Sequence, residues 1–345
     1  MANETDGGGG KMYRLWRARR VLLWAAALLL PVSCLLTVHL VQTTAAAAPE
    51  PLKWVDFTPT YEAMQAALQM DIATVESETH LDCIESLAWL GCRYGGNFSR
   101  YRYSDLAALR KKRESGQSMA ELAEGNPYYD YYYRAYSAVL GNMLGGYQWY
   151  HEGENGEPVV ESGYGLIAFC PIARGWGFSH YDDFGSSRSY GYRREHLGND
   201  LMAGVGTPVV AVESGTVEAL GWNRYGGWRI GIRSRDTLRY YYYAHLQKGH
   251  PYVKDLKEGD EVTAGQVIGY VGMTGYSDTE ETNGMKVPHL HFGMQLIFDE
   301  SQKEGNGEIW IDVYQIVRLL SGRRSTVVQG ADGEYHQRYE FIPTE

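Results

Sequence analysis

The sequence predicts a mainly β protein, in which an antiparallel, sandwich-like β-sheet domain is preceded by a transmembrane helix and an α-helical region. Three observations predict this order. An uncharged apolar run lies near the N-terminus, and apolar residues at helical spacing follow it. Short β-branched and aromatic runs between glycine-containing turns then fill the second half. With 345 residues the chain exceeds one ordinary domain, so two folded units are expected.

The apolar run at 21–41 contains no Asp, Glu, Lys or Arg, and its length matches the ~20 residues that cross a bilayer as a helix. Basic residues crowd its N-terminal side, which the positive-inside rule places in the cytoplasm. We therefore expect a basic cytoplasmic tail at 1–20, a single-pass membrane anchor at 21–41 and a linker at 42–55. The rest of the chain would lie outside the cytoplasm.

Two alternatives are open for this segment. The sequence TTAAAAP at 43–49 fits a signal-peptidase site, which would make the protein secreted, but the apolar run exceeds the ~7–15 residues of a signal core. The tetrapeptide at 31–34 weakly resembles a lipoprotein box, but apolar residues continue beyond it. All three interpretations place the bulk of the chain outside the cytoplasm.

Charge and cysteine content exclude two classes of site. The formal net charge is −10, and phosphate binding depends on Lys and Arg, so nucleic acid is not expected as a partner. The four cysteines form no C-x-x-C pair. Cys83 and Cys92 would lie roughly 13 Å apart along a helix, which is too far for a disulfide. We expect neither a disulfide framework nor a cysteine zinc site.

Residues 56–150 are predicted to form an α-helical region. Apolar spacing predicts helices that start near Tyr61 and Ile84, and the second should stop at Gly95-Gly96. Ser104-Asp105 is expected to cap a third helix. Ser118 and Glu121 fit a capping box.

A tyrosine-rich helix is predicted from Tyr128 to Leu144, stopped by Gly145-Gly146. We find no group of residues typical of catalysis in the helical region. It is interpreted as a spacer or interaction module. The alternative is a tyrosine face that binds a ligand or docks a protein partner.

Beyond about Gly163 the pattern becomes one of short strands, which predicts an antiparallel sandwich or rolled sheet. The runs are 208–212, 215–220, 228–232, 238–246, 266–271 and 289–296.

Histidine and aspartate residues recur within this β-rich part. His196 and Asp200 form H-x-x-x-D, and the intervening Gly and Asn predict a loop leading into a strand rather than a helix. His289 and His291 form H-x-H in a strand-like run, and side chains two apart leave a strand on the same face. Both imidazoles should therefore point into one site.

A further histidine, His245, ends the run RYYYYAHL. Counting in steps of two along a strand places His245 on the same face as Tyr241 and Tyr243.

Two histidines and one aspartate are a suitable set of ligands for catalytic zinc, because three protein ligands leave a fourth position for water. Other histidines nearby can move protons near neutral pH. The residues alone do not decide which of His289 and His291 binds the metal. No H-E-x-x-H occurs, which excludes the helical metalloprotease scheme.

The second half closely resembles the lysostaphin-type, or LytM-like, zinc endopeptidases, which hydrolyse peptidoglycan. Six motifs occur in the family's order, and the resemblance covers about 162–322. The motifs are His196 to Asp200, Gly206 to Val209, Ala211 to Val217, Tyr243 to Leu246, Gly259 to Gly275 and His289 to Phe292.

The resemblance implies an antiparallel β peptidase core with one bound Zn²⁺. It implies that His196, Asp200 and His291 are the zinc ligands and that His245 and His289 are the catalytic pair. It also implies a zinc endopeptidase that cuts peptidoglycan stems or cross-bridges. The alternative is a catalytically silent envelope scaffold or activator of other wall hydrolases. All five positions are present, which favours the enzyme.

The chain departs from the family pattern in two places. An acidic insertion, Asp278 to Val287, separates Ser277 from the H-L-H motif and would border the groove, so it leaves substrate preference open. Gly293 stands where the family often has Glu, but that position is not an implied ligand. Residues 323–345 are expected to be a C-terminal tail.

Overall fold

The computed structural model describes residues 50–190 and 192–344, and those from Leu52 onward pack as one compact unit. The expected tail at 1–20, the anchor at 21–41 and most of the linker lie outside the described residues. Within the described part of the chain, no helix combines the length and apolarity that a membrane span requires.

Six α-helices lie in the described part. They are α1 (Tyr61–Thr74), α2 (Cys83–Tyr94), α3 (Tyr103–Glu114), α4 (Met119–Ala123), α5 (Tyr129–Leu140) and α6 (Tyr314–Leu320). Helix α2 packs against α1 and α5 around a core of buried aliphatic and aromatic side chains. The three cysteines of the described part are free.

Helix ends agree with the sequence where a cap has a specific chemistry. Helix α2 ends at Gly95, whose left-handed φ of 60° suits glycine. The capping box of Ser118 and Glu121 is present with both reciprocal hydrogen bonds. The expected cap at Ser104 is wrong, because α3 begins at Tyr103 and Ser104 therefore lies inside the helix. The N-cap is Arg102, whose side chain makes no capping bond within the described part of the chain.

The strands form a mainly antiparallel β structure, as predicted. They are β1 (Leu144–Glu152), β2 (Pro158–Leu166), β3 (Ser179–His180), β4 (Ser187–Tyr190), β5 (Tyr192–Glu195), β6 (Asn199–Met202), β7 (Pro208–Val210), β8 (Gly215–Asn223), β9 (Gly227–Ser234), β10 (Arg239–Ala244), β11 (Glu261–Val262), β12 (Val267–Tyr270), β13 (Leu290–Leu296), β14 (Ile309–Ile311), β15 (Val327–Gln329), β16 (Tyr335–Gln337) and β17 (Phe341–Thr344).

The main sheet has the order β11-β8-β9-β10-β13-β6-β3, with β14 also paired to β13. Each of the six runs predicted as strands overlaps one strand of the structure, and the strands at 215–220 and 228–232 extend beyond the predicted bounds. The core face of this sheet is aliphatic and aromatic, and Tyr241 and Tyr243 are fully buried in it beside Phe292. The register of this sheet brings the candidate site together.

The tyrosine-rich helix is shorter than predicted. It ends at Leu140, and the glycines expected to stop it, Gly145 and Gly146, lie inside β1. Strand β1 pairs with β2 on one side and with β17 on the other, so its backbone is satisfied by strand partners rather than by helical bonds. Residues 323–344 accordingly contribute three strands, β15 to β17.

A buried ion pair joins the helical region to the sheet. Arg239, which is 0% exposed, donates from Nε to Glu213 and from its terminal nitrogens to Glu213, Asp236 and the Ala138 carbonyl near the end of α5. Tyr241 donates a further hydrogen bond to Glu213. The guanidinium therefore satisfies groups in both parts of the molecule.

Candidate metal centre and its groove

Strand register places two of the three implied zinc ligands side by side. In the antiparallel pair β6–β13, His291 lies directly opposite Asp200. His196 lies in the short loop between β5 and β6, as the sequence predicted. These two elements bring His196 and His291 together although they are 95 positions apart in the chain.

The three donor atoms converge on one point. His196 Nε2 is 2.8 Å from His291 Nδ1 and 3.1 Å from Asp200 Oδ1, and His291 Nδ1 is 3.3 Å from the same oxygen. Donor atoms around a tetrahedral zinc ion, bound at about 2.0–2.1 Å, lie about 3.3–3.4 Å apart. The spacing and the nitrogen and oxygen chemistry both fit a zinc ion shared by the three side chains.

Two residues that the sequence analysis did not identify hold these ligands in place. Asp183 accepts a backbone hydrogen bond from Asp200, and the backbone carbonyl of Asp183 lies 3.1 Å from His196 Nδ1. Arg188 donates to the carboxylates of Asp183 and Asp200 at 2.6 and 3.1 Å. Such partners fix the orientation of metal-binding side chains.

Electrostatics in the metal-free site favour a proton at the position where a cation would bind. Burial disfavours the charged form of His196, but Asp183 and Asp200 outweigh it and raise the pKa of His196 to about 9. Burial likewise opposes ionisation of Asp200, but hydrogen bonds from His196 and His291 hold the pKa of Asp200 well below its usual range. Burial lowers the pKa of His291. The carboxylates of Asp183 and Asp200 therefore stabilise a positive charge at this position.

Gly198, between His196 and Asp200, is required by its neighbours rather than by its backbone angles. A Cβ at this position would lie 2.6 Å from the Phe292 carbonyl oxygen and 2.8 Å from Cε1 of His291. The loop can therefore approach the His291 ring only because this residue has no side chain.

The position of His245 corrects the sequence analysis. Counting in steps of two grouped it with Tyr241 and Tyr243, but those rings lie in the core, against Phe292. His245 follows the end of β10 and has a left-handed φ of 61°. This turn of the backbone breaks the alternation and places the His245 ring 4.8 Å, centre to centre, from that of His289.

His245 and His289 present the same ring nitrogen to the cavity. Nδ1 of His245 lies 2.8 Å from the Thr274 carbonyl, and Nδ1 of His289 lies 2.8 Å from the Val287 carbonyl. A carbonyl can only accept, so we assign the ring hydrogen of each neutral histidine to Nδ1. Each Nε2 is then a proton acceptor, and that of His289 lies 3.8 Å from Asp200 Oδ1.

The environment of His245 keeps its ring neutral. Burial, reinforced by the neighbouring His289 and His291, holds the pKa of His245 well below its usual value.

All five implied site residues line one cavity of about 740 Å³. The insertion Asp278 to Val287 forms part of its border and contributes Met285. Glu281 anchors this loop, because its carboxylate accepts from the Trp228 indole at 2.9 Å and from the Gly249 amide at 2.9 Å. One acidic charge of the insertion is thus used to hold the loop rather than offered to a ligand.

Comparison with known proteins gives a family for this part of the chain. Residues 194–304 match the model for peptidase family M23, and this range contains all five implied site residues. These residues form an M23 peptidase domain. The matched range lies within the 162–322 domain expected from the sequence.

Two curated bacterial proteins are similar to this domain. The L-Ala–D-Glu endopeptidase of Bacillus subtilis is 46% identical over 117 residues, which are 34% of this chain and 34% of that protein. Lysostaphin of Staphylococcus simulans is 42% identical over 98 residues, which are 28% of this chain and 17% of that protein. The chain thus spans about a third or less of the length of these relatives.

A solved structure shows that the likeness of fold extends beyond the M23 domain. The crystal structure of a Ruminococcus gnavus protein described as a glycyl-glycine endopeptidase lytM covers 81% of this chain and 92% of its own, with a TM-score of 0.52 and 24% identity. At this identity the likeness concerns the fold alone.

Proposed function

We propose that this chain is a zinc-dependent endopeptidase that hydrolyses peptide bonds in peptidoglycan stems or cross-bridges. One observation carries the proposal. The donor atoms of His196, Asp200 and His291 converge within hydrogen-bonding distance, and His245 and His289 line the same cavity. A scaffold without activity has no need for this complete set. The name of the Bacillus subtilis relative, an L-Ala–D-Glu endopeptidase, supports a peptide substrate.

His196, Asp200 and His291 would hold the metal, with Asp183 and Arg188 fixing their orientation. When bound by three protein ligands, zinc supplies Lewis acidity and activates water near neutral pH. The Asp200 carboxylate would leave the site a net formal charge of +1, so substantial Lewis acidity is retained.

The two remaining histidines would move protons. Since the Thr274 and Val287 carbonyls each hold an Nδ1 hydrogen, Nε2 of His245 and of His289 can accept a proton from the attacking water and return one to the leaving amine. Protonated, the same nitrogens can donate a hydrogen bond to the oxyanion that develops on the substrate carbonyl.

The proposal includes a location. The sequence at 21–41 would anchor the chain in the membrane, with the peptidase domain outside the cytoplasm and the helical region setting its reach or its protein partners. These parts of the proposal depend on the sequence alone.

Two substitutions in the full-length chain test the assignment. His291→Ala should remove both bound zinc and wall hydrolysis, while His245→Asn should retain zinc and lower turnover by at least about 100-fold. Asn is chosen because it tolerates the left-handed backbone at this position. Zinc is measured by mass spectrometry, and fragments released from purified walls by chromatography.

The results separate the alternatives. A folded wild-type chain that binds no zinc and releases no fragments would support the silent scaffold instead. Full zinc occupancy in His291→Ala, or unchanged turnover in His245→Asn, would remove that residue from its proposed role.

A further inference from the structure

Among the described residues, one basic side chain of the cavity is not ion-paired with a carboxylate. Arg188 is ion-paired with Asp183 and Asp200, and Lys303 is ion-paired with Glu218. Arg194 also lines the cavity, but within the described part of the chain its guanidinium forms no ion pair with a carboxylate. Its Nε is buried without a hydrogen-bond partner in that same part.

Two tyrosines hold the Arg194 guanidinium in position. Its centre lies 4.8 Å from the ring centre of Tyr225 and 5.3 Å from that of Tyr276, and one terminal nitrogen donates to the Tyr276 hydroxyl at 2.9 Å. The two tyrosines, Tyr225 and Tyr276, are called the tyrosine clamp here. The Tyr276 backbone N–H donates to the Tyr225 carbonyl at 3.3 Å, which links the two residues. A cation held in this way loses little side-chain freedom when it binds an anion.

This clamp lies beside the proton-carrying histidines. The Tyr276 ring centre is 6.0 Å from that of His245. The Tyr242 ring centre lies 5.8 Å from that of His291, and the Trp310 ring centre lies 6.3 Å from that of Tyr242. The Trp310 indole donates a hydrogen bond to the Glu308 carboxylate. The cavity thus carries the Arg194 cation near His245 and the Glu308 carboxylate on the far side of Tyr242.

We propose that Arg194 binds a free carboxylate of the peptide substrate, and this inference rests on the proposed endopeptidase function. A planar guanidinium matches a carboxylate geometrically, and the terminal nitrogens of Arg194 carry more hydrogens than the one that the Tyr276 hydroxyl accepts. Stem peptides carry free carboxylates, whereas glycine cross-bridges carry none along their length. Arg194 therefore selects acidic stem peptides over glycine bridges.

The proposal is tested with a stem tetrapeptide, L-Ala-γ-D-Glu-L-Lys-D-Ala, and two variants in which the D-Glu α-carboxylate or the C-terminal carboxylate is a carboxamide. For the zinc-loaded full-length chain, kcat/KM should fall at least about tenfold for one of the two carboxamides. The variant Arg194→Gln should lose this discrimination and retain the zinc content and unfolding midpoint of the wild type. A purely structural role for Arg194 would instead lower cleavage of all three peptides together.

The matched control is Arg193→Gln. Arg193 is the preceding residue of β5, is exposed and does not line the cavity, since successive strand side chains point to opposite faces. The Arg193→Gln variant should discriminate between the acid and the carboxamide peptides as the wild type does. Equal cleavage of all three peptides by the wild type, or full discrimination by Arg194→Gln, overturns the proposal.

Binding separates this inference from the proposed function. The same peptides, with N-methylated peptide bonds that resist hydrolysis, are titrated calorimetrically into the zinc-loaded chain. A wild type that cleaves no peptide but binds the acid at least about tenfold more tightly than one carboxamide supports the role of Arg194 and contradicts the endopeptidase. Equal affinities overturn the role of Arg194 whatever the activity.

Discussion

Replacing Gly198 by Ala should weaken zinc binding without unfolding the protein. The added methyl would lie 2.6 Å from the Phe292 carbonyl oxygen, and 2.8 and 2.9 Å from Cε1 and Nε2 of His291. Carbon atoms pack at about 3.5 Å or more, so the His291 ring or the loop must move by at least about 0.7 Å. Either movement changes the donor triangle of His196, Asp200 and His291.

The size of the effect follows from the tolerance of a metal site. Ligand distances at a zinc ion hold to within about 0.2 Å, so a displacement of this size cannot be absorbed without losing part of the coordination energy. Losses of about 10–100-fold in metal affinity accompany disturbed ligand orientation. Overpacking of this kind costs about 1–3 kcal/mol of folding free energy, which a domain of ordinary stability survives.

The assay is competition for zinc between the purified protein and a chelator, with the urea midpoint measured in parallel. Gly204→Ala is the matched control, because the nearest atom to its added Cβ is Thr207 Oγ1 at 4.0 Å. The control should bind zinc as the wild type does. Wild-type zinc affinity in Gly198→Ala would refute the steric reasoning, and loss of affinity in both variants would show that any substitution in this segment is disruptive.

Two further predictions concern the buried charge pair and the pH dependence of metal binding. Arg239→Met leaves the Glu213 carboxylate buried without its cation, so the free energy of unfolding in urea should fall by about 3–5 kcal/mol. The comparison variant Arg318→Met breaks a half-exposed pair with Glu62, and its free energy of unfolding should fall by at most about 1 kcal/mol. Zinc must displace the proton that His196 holds up to a pKa of about 9, so affinity should rise with pH below that value, and calorimetry at pH about 7 in two buffers should count about one proton released per zinc bound.

Each of these predictions has an outcome that contradicts it. Equal losses for the two arginine variants would mean that the buried position of Arg239 does not decide its energetic role. The raised pKa of His196 means that its bound proton stabilises the metal-free fold. This stabilisation is fully present below the pKa of 6.5 in the unfolded chain and is lost as pH rises through about 9. Zinc affinity that is flat from pH about 7 to about 8.5 would show that His196 is already neutral.

Much of the sheet could be read directly from the sequence, because side-chain alternation and glycine turns are local signals. The H-x-H spacing of His289 and His291 predicts two rings on one face, and both line the same cavity. H-x-x-x-D predicted the loop before β6 correctly. The helical region was harder to delimit, since β1 is stabilised by pairing with β17, almost 200 positions later, and no local signal records that pairing.

The sequence by itself therefore determined which residue types could form a metal site, and local periodicity placed them on strands and loops. Only the tertiary structure decided how they meet. The left-handed backbone at His245 turns its ring away from the core tyrosines, Asp183 and Arg188 arrive from a separate segment to hold the ligands, and Tyr276 folds over Arg194. The reason is physical: periodicity reports which face of one strand a side chain occupies, whereas contacts between distant segments depend on strand order, register and turns.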